Sequence, residues 1–377
     1  MNKNIGILFS SYGPYHIARL ESLKNWTKSL QYQVTGIELA RSQDEYPWIT
    51  QINNLNFPII SVSKESSLEQ IKISNLIQQL LITLKQNNPI ALAISGYFKP
   101  SMLSALLWCL WHRKPAILFS ETTEHDTPRV WWKEQLKSWI IKRYKSALVG
   151  GQPQKRYLIK LGMPAEAIFT GYDVVGNDTF HPDRIKSLPH PLNQPYFLAI
   201  NRFVPKKNLF FLISAYAEYR QSAGISAWDL VLCGDGQLRP QIEKQIEQLG
   251  LENIVHLPGF LQQEELLPYF AHAGCFIHAS IQEQWGLVVN EAMAAGLPVL
   301  VSNRCGCFED LIIEGINGFG FDPENSEQLT NLMLKISAKE FDLAKMGQAA
   351  LEHIQKFSPD YFARGLMQAV EYAIAHS

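Results

Sequence analysis

Short apolar runs alternate with longer amphipathic segments along most of the chain. Residues 5–10 and 275–279 are brief, apolar and partly β-branched, which is typical of buried strands. Residues 287–295 have helical composition, and Gly296 and Pro298 end that segment. Strands that alternate with helices predict parallel sheets covered by helices, which is the doubly wound α/β class. The predicted strands are 5–10, 32–39, 58–62, 90–95, 115–120, 147–150, 196–201, 230–233, 254–257 and 275–279. The predicted helices include 17–28, 68–85, 209–220, 237–248, 266–273, 287–295 and 359–374.

The alternation weakens once, between residues 183 and 193. This stretch is rich in His and Pro, and a strand at 196–201 restarts the pattern. Because 377 residues exceed the size at which one core keeps growing, we predict two Rossmann-like domains, at 1–182 and 193–358. Ligands of such sheets bind beyond the carboxyl ends of the strands. We therefore expect the site in a cleft between the domains.

Composition and charge exclude several classes of function. The formal net charge is −1, so no global field recruits nucleic acid, and a nucleic-acid partner is not expected. Five cysteines without paired spacing do not form a disulfide framework, which favours a reducing, cytoplasmic compartment. Cys305 and Cys307 are too close together for the usual zinc-ligand spacing, so we predict no metal site from them. The apolar runs 5–10 and 102–111 are too short for a signal peptide and a membrane span, respectively.

Two carboxylates eight positions apart, Glu283 and Glu291, flank a glycine turn at Gly286. Glu283 follows a predicted strand, and the helix that starts near Gly286 with Leu287 and Val288 directs unpaired backbone N–H groups towards this loop, which suits a pyrophosphate. A carboxylate accepts two hydroxyl donors at once, so one Glu on each side of a phosphate pocket suits two diols. The pattern predicts a site for a sugar diphosphonucleoside. The alternative is a pair of solvated charges beside an ordinary strand-to-helix turn.

A basic loop follows the strand at 196–201. It contains Arg202 and Lys207, and Pro205 and Asn208 turn the chain into the next helix. A departing nucleoside diphosphate develops negative charge, which fixed cations stabilise more in the transition state than in the ground state. The chain has no Asp-x-Asp motif, which is expected where a divalent ion neutralises the diphosphate. Cationic side chains would then replace a metal, although an isolated basic residue in a loop is more often a surface charge.

These motifs together resemble a known family. The Glu, seven residues, Glu pattern, with its Gly-Leu and its Glu-Ala-Met-Ala-x-Gly-x-Pro-Val tail, resembles the signature of family 4 glycosyltransferases, which are retaining enzymes with the GT-B fold. Arg202 and Lys207 match the Arg and Lys pair of that family. The resemblance implies that Glu283 holds sugar hydroxyls, that Glu291 holds the ribose, and that the two cations bind the diphosphate.

The resemblance also assigns roles to weaker motifs. It places the turn at Gly234 in the donor site and Gly259 and Phe260 near the nucleobase, although simple turn chemistry explains such glycines equally well. In the first domain, Gly13 permits a close backbone approach to the diphosphate. His16, in the first turn of the next helix, faces either the acceptor or solvent.

A dense polar loop follows the strand at 115–120 and contains Glu121, Glu124, His125 and Asp126. The related enzymes carry a His, often followed by Asp, near the sugar and the acceptor hydroxyl, and His125 and Asp126 match this pair. A neutral His can accept a hydrogen bond from a hydroxyl, and a flanking carboxylate can orient it. The two extra glutamates are assigned to the acceptor side. An exposed loop histidine is the alternative for His125.

Residues 130–145 form the one locally basic and aromatic helical segment, with three Trp residues near five cations. Such a face can rest on an anionic lipid surface, as a peripheral membrane contact. An ordinary amphipathic helix that packs on the sheet with its Lys stems outside has the same composition. The sequence leaves both interpretations open.

The residues and the resemblance together predict a metal-independent retaining glycosyltransferase. It would move a hexose from a nucleotide sugar, with a UDP-sugar favoured and GDP-mannose next, to an acceptor hydroxyl in glycolipid, polysaccharide or other glycoconjugate synthesis. No cofactor is expected, because the nucleotide sugar is a substrate.

The resemblance implies that domain 1–182 binds the acceptor, that 193–358 binds the donor, and that helix 359–377 packs back onto the first domain. The alternatives are a GT-B sugar-nucleotide epimerase or hydrolase, and a non-catalytic nucleotide-sugar-binding subunit. We expect the protein in the cytoplasm, either free or on the cytoplasmic face of the membrane. The residues assigned to catalysis are His125, Arg202, Lys207 and Glu283.

Overall fold

The computed structural model divides the chain into two compact units. One consists of Met1–Gly176 with Phe357–Ser377, and the other of Asn177–Lys356. Each is built on a parallel sheet flanked by helices, as predicted for a doubly wound α/β protein. None of the helices in the described parts of the chain combines the length and the apolar character that crossing a bilayer requires. The structure describes residues 3–29, 32–42, 57–63, 67–126 and 128–377.

The described residues of the first unit form one sheet of seven parallel strands. Its strands are β1 (Lys3–Phe9), β2 (Tyr32–Ala40), β3 (Ile59–Ser63), β4 (Ala91–Ser95), β5 (Ala116–Ser120), β6 (Ser146–Val149) and β7 (Ile168–Thr170). They lie in the order β3-β2-β1-β4-β5-β6-β7. The sequence analysis predicted the first six strands and missed β7, because three residues are too few for a hydrophobic period to be visible.

Helices connect these strands and cover both faces of the sheet. In α2, Leu76, Leu80 and Leu84 recur every four residues and are at most 2% exposed, and Asn88 ends the helix at a φ of +41°. The buried side chains of α2 and α3 pack on one face of the sheet, and those of α1 pack on the other. The helices are α1 (Pro14–Ser29), α2 (Ile73–Asn87), α3 (Pro100–Trp111), α4 (Trp131–Ile141) and α5 (Gln152–Lys160).

The second unit is built on a sheet of six parallel strands. They lie in the order β10-β9-β8-β11-β12-β13, and the core beneath them is formed by side chains such as Phe197, Leu230 and Ile277. The strands are β8 (Tyr196–Ile200), β9 (Asp229–Cys233), β10 (Val255–Gly259), β11 (Cys275–His278), β12 (Val299–Ser302) and β13 (Gly318–Phe321). The helices are α6 (Asn177–Phe180), α7 (Pro182–Ile185), α8 (Leu209–Ala223), α9 (Arg239–Gln248), α10 (Gln263–His272), α11 (Leu287–Ala294), α12 (Phe308–Leu311), α13 (Ser326–Ser337) and α14 (Leu343–Ile354).

The second unit spans Asn177–Lys356, whereas the sequence analysis predicted a second domain at 193–358. The sequence analysis ended the first domain at residue 182, whereas the second unit begins at Asn177. The side-chain amide of Asn177 donates to the Ile354 carbonyl over 2.9 Å, and Phe180 packs edge-to-face on Phe270. These contacts hold α6 and α7 on the second unit, because their apolar and amide groups have their partners there.

The last helix, α15 (Pro359–Ala375), belongs to the first unit. Its apolar face, which includes Phe362, Leu366 and Val370, is fully buried in the core cluster that α1 also enters. The Ser146 hydroxyl donates to the Ala369 carbonyl over 2.7 Å. The chain therefore returns to the first sheet after completing the second.

Candidate functional site

The predicted donor motifs lie where the order of the second sheet changes direction. From β8 the chain proceeds to β9 on one side, whereas β11, the other neighbour of β8, leads on to β12 on the opposite side. Ligands of open α/β sheets bind at such a switch point, beyond the carboxyl ends of the strands. The loop after β8 carries Arg202 and Lys207, and the loop after β11 carries Glu283. The backbone N–H of Ile281 donates to the Lys206 carbonyl over 2.9 Å and joins the two loops.

Lys207 and Glu283 form an ion pair at this switch point. The Lys207 ammonium contacts Oε2 of Glu283, and the side chains are only 11% and 12% exposed. The structure thus brings together one cation and one carboxylate that the sequence analysis selected from motifs 76 residues apart. In the structure they neutralise each other.

Two further side chains contact the same carboxylate oxygen. Nε2 of His278 and Oγ of Ser280 each lie 3.3 Å from Oε2 of Glu283. Burial lowers the pKa of His278, and the Lys207 charge acts in the same direction, so the imidazole is neutral at pH 7 and donates its Nε2 hydrogen. Nδ1 of His278 has no hydrogen-bond partner within the part of the chain that the structure describes.

The charge of Glu283 is stabilised despite its burial. Burial acts to raise the pKa of Glu283, but the hydrogen bond from His278 and the charge of Lys207 outweigh it and hold the pKa well below its usual range. The three contacts converge on Oε2, so Oε1 takes part in none of them. The result is a charged carboxylate with a fixed orientation. The sequence analysis missed His278 and Ser280. Their one feature in the sequence is that two polar residues stand at the end of an apolar strand.

Backbone hydrogen bonds from residues 306 and 307 hold the loop that contains Glu283. The N–H of Gly306 donates to the Glu283 carbonyl over 3.0 Å, and that of Cys307 donates to the Trp285 carbonyl over 3.1 Å. The thiols of Cys305 and Cys307 are buried, and burial raises their pKa, so they are neutral side chains that shape the loop. The described residues include no group of three or more His, Cys, Asp or Glu side chains placed to hold a metal ion.

Helix α11 begins at this loop, as the sequence analysis predicted. Gly286 caps it with a φ of +107°, a conformation that side chains rarely adopt, and the first turn contains Leu287 and Val288. A Cβ on Gly286 would lie 3.5 Å from both Cγ of Glu283 and Nε2 of His278. Glu291 lies in the second turn and is 3% exposed, so it is a buried carboxylate.

The turns at Gly234 and Gly259 support the loop that carries Arg202. Gly234 has a φ of +131°, and a Cβ there would lie 1.8 Å from the Asn201 carbonyl oxygen, so a larger residue cannot occupy this position. The N–H of Gly234 donates to the Gly259 carbonyl over 2.7 Å. Phe260 follows with 42% exposure, and Arg202 is half-buried. Gly234 therefore serves the packing of this edge, in addition to any contact with a ligand.

In the first unit, Gly13 and His16 form a local hydrogen-bonded turn. The Gly13 N–H donates to Nδ1 of His16 over 3.0 Å. Burial and the charge of Arg19 lower the pKa of His16 to about 3, so the ring is neutral and carries its hydrogen on Nε2. The Lys99 ammonium reaches the Ser10 hydroxyl over 2.9 Å and links the loops after β4 and β1, the switch point of the first sheet.

The polar loop after β5 is held by hydrogen bonds between Asp126 and Thr123. Asp126 is 7% exposed, and its carboxylate accepts from the Thr123 N–H over 2.8 Å and from the Thr123 hydroxyl over 2.6 Å. It therefore stabilises the loop through Thr123, and its role of orienting His125 stays a prediction. Glu124 pairs with Lys160, and His125 is exposed.

Glu121 is half-buried and acts electrostatically on a carboxylate inside the first unit. That carboxylate is the fully buried Asp173, whose pKa is raised by burial and by the Glu121 charge. Arg19 lies 4.0 Å from Asp173 and lowers that pKa in part. The acceptor-side roles proposed for these loop residues stay predictions.

Comparisons with known proteins show which sequences this chain resembles. The family model described as Glycosyl transferases group 1 matches residues 181–353. The amylovoran biosynthesis glycosyltransferase AmsK of Erwinia amylovora is 28% identical over 221 residues, which are 57% of this chain and 53% of that protein, so the match spans about half of its length.

Two solved structures show the same fold over nearly the whole chain. HepE of Anabaena, in complex with UDP and glucose, has a TM-score of 0.76 and 19% identity and covers 98% of this chain and all of that one. A sucrose-phosphate synthase from Thermosynechococcus elongatus has a TM-score of 0.77 and 17% identity, with both chains fully covered. The chain therefore has the GT-B fold, and residues 181–353 match the family model of group 1 glycosyl transferases.

Proposed function

We propose that the protein is a retaining, metal-independent glycosyltransferase that uses a nucleoside-diphosphate hexose. The Lys207–Glu283 ion pair at the switch point of the group 1 domain carries the proposal. It puts a cation suited to a diphosphate beside a carboxylate suited to sugar hydroxyls. A UDP-sugar is the favoured donor and GDP-mannose the next, and the complex of HepE with UDP and glucose supports this order.

Donor binding would replace the internal ion pair with contacts to the two ends of the ligand. Lys207 and Arg202 bind the diphosphate, together with the backbone N–H groups of the first turn of α11. Oε1 of Glu283, which none of its three contacts uses, accepts hydrogen bonds from sugar hydroxyls, while His278 and Ser280 keep the carboxylate in place. Glu291 is the proposed partner of the ribose.

In the transfer step, the bond from the anomeric carbon to the diphosphate oxygen breaks and a bond from the acceptor oxygen to the same carbon forms. The acceptor proton passes to the departing diphosphate, and attack on the face that the diphosphate vacates retains the anomeric configuration. Lys207 and Arg202 stabilise the charge that develops on the leaving group, without a metal ion. His125, which is exposed beyond β5, is the proposed side chain near the acceptor hydroxyl.

Thermal denaturation with UDP-, GDP- and ADP-sugars in the presence of EDTA tests donor binding. A ligand at 100 times its Kd stabilises the native state by about 2.7 kcal/mol, so the correct donor raises Tm by several degrees. If no nucleotide sugar changes Tm, the proposal is wrong.

Product analysis separates the proposed activity from two others. A transferase consumes donor only when an acceptor hydroxyl is present, whereas a sugar-nucleotide epimerase or hydrolase converts donor alone. Binding without turnover across a panel of sugar and lipid-linked acceptors would instead indicate a non-catalytic subunit.

A further inference from the structure

The outer surfaces of α3 and α4 are unusually apolar. On α4, Trp132, Leu136 and Trp139 recur at helical spacing and are 57%, 53% and 58% exposed. Trp131 is 76% exposed beside them. On α3, Leu107 and Leu110 are 62% and 43% exposed, Trp111 is 86% exposed, and Phe98, just before the helix, is 63% exposed. Large apolar side chains grouped in this way on a surface usually mark an interaction site.

The helices that carry these side chains, α3 and α4, pack on the same face of the first sheet. The buried faces of α2, α3 and α5 and the end of α4 enter one core cluster, with strand residues such as Leu92 and Leu118. The alternate strand residues, such as Ala93 and Ile117, enter the other cluster with α1 and α15. The Lys137 ammonium lies 5.8 Å from the centre of the Phe98 ring and connects α4 to the start of α3. We call the eight exposed side chains the aromatic face: Phe98, Leu107, Leu110, Trp111, Trp131, Trp132, Leu136 and Trp139.

The charges around the aromatic face are almost all positive. Residues 96–114 and 128–145 contain nine Lys and Arg residues and one acid, Glu134, in a chain whose net charge is −1. Glu134 is already bound by Lys137 over 2.7 Å and by the Tyr157 hydroxyl over 2.7 Å. The exposed cations stand beside the indoles: Arg143 lies 4.9 Å from the Trp139 ring centre, and Lys133 lies 5.5 Å from that of Trp132.

We propose that the aromatic face docks the protein on the surface of an anionic lipid bilayer. Trp side chains favour the interface between water and acyl chains, and neighbouring Lys and Arg extend to the headgroups. Anionic lipids supply the countercharge that this surface lacks. A second copy of the chain fits less well, because a twofold contact would bring the same cations face to face. The docking is independent of the proposed sugar transfer, since none of these residues belongs to the donor site.

Sedimentation of the full-length protein with vesicles tests the proposal without any sugar nucleotide. The protein should bind vesicles of phosphatidylcholine mixed equally with phosphatidylglycerol, should bind pure phosphatidylcholine much less, and should dissociate as salt rises. Combined Trp132→Ala and Trp139→Ala substitutions should weaken the binding on the order of tenfold. Combined Lys142→Glu and Arg143→Glu substitutions should weaken it by a similar factor.

Trp26→Ala provides the matched control, because Trp26 is 38% exposed on α1, which packs on the opposite face of the sheet. It should leave vesicle binding unchanged. All four positions substituted in the aromatic and basic double variants are exposed, so we expect both variants to fold. A Tm equal to that of the wild type verifies this. Absence of binding to anionic vesicles would overturn the proposal, as would equal loss in Trp26→Ala. A dimer that dissociates in the double Trp variant would assign the face to a second copy instead.

Discussion

Removal of the Lys207 ammonium should destabilise the protein as well as stop donor binding. In Lys207→Met the Glu283 carboxylate, 12% exposed, loses its cation and keeps the hydrogen bonds from His278 and Ser280. Removing one partner of a buried ion pair costs about 3–5 kcal/mol. Because Glu283 keeps two hydrogen bonds, we expect a loss near the lower end, about 3 kcal/mol, in the free energy of unfolding.

The reverse change should cost less. In Glu283→Gln the ammonium of Lys207 can move towards water on its flexible stem, so we expect a loss of about 1–2 kcal/mol. The double variant no longer contains an unpaired buried charge and should lose less than the sum of the single variants, by at least about 1 kcal/mol. Urea unfolding followed by circular dichroism measures all three.

Lys206→Met is the control for the same experiment, because Lys206 is in the same turn but outside the pair. It should change the free energy of unfolding by less than about 0.5 kcal/mol. The reasoning is refuted if Lys207→Met is as stable as Lys206→Met, or if the losses in the double variant are simply additive. Either result would mean that the two side chains do not hold each other in solution.

Three other measurements test neighbouring parts of the site. The pKa of Glu283 is lowered in the folded protein, so the Glu283 charge stabilises the fold fully above its ordinary pKa of 4.5, and this stabilisation is lost as pH falls below that value. The difference in the free energy of unfolding between wild type and Glu283→Gln should therefore shrink between pH 7 and pH 3. A constant difference would contradict the assignment. Gly286→Ala forces a side chain into a φ of +107° and should lower stability by about 1–2 kcal/mol, seen as a lower Tm, whereas an unchanged Tm would show that the turn relaxes at no cost. His278→Phe removes one hydrogen bond to the charged Glu283 and should reduce kcat/KM about tenfold to a hundredfold at every pH tested. Full activity would exclude a positioning role for His278.

The parts of the fold that depend on local pattern were predictable from the sequence. The strand at 275–279, the turn at Gly286 and the helix that follows it have strong signals within a few residues, and the structure confirms all three. The strand order was not available from local pattern, since it depends on which strands pair. Even so, Lys207 and Glu283 were selected from separate loops, and the adjacency of β8 and β11 brings them into contact.

Partner choice among polar side chains was harder to predict. The Asp126 carboxylate accepts two hydrogen bonds from Thr123, a local pairing within a short polar turn for which the sequence analysis had no signal. His278 ends an apolar strand and gave no motif, although it is one of the three side chains that contact the Glu283 carboxylate. The start of the second unit at Asn177 likewise depends on contacts with Ile354 that lie far away in sequence. The expected cleft between the two domains stays a prediction.

Calorimetric titration of UDP, GDP and ADP, in the presence of EDTA, tests most directly whether the Lys207–Glu283 pair is the donor site. We predict that one nucleoside diphosphate binds wild type and Lys206→Met with equal affinity and binds Lys207→Met at least about tenfold more weakly, which is the loss of one charge-assisted contact. Equal affinity for all three proteins, or no binding of any nucleotide to the wild type, would contradict the account.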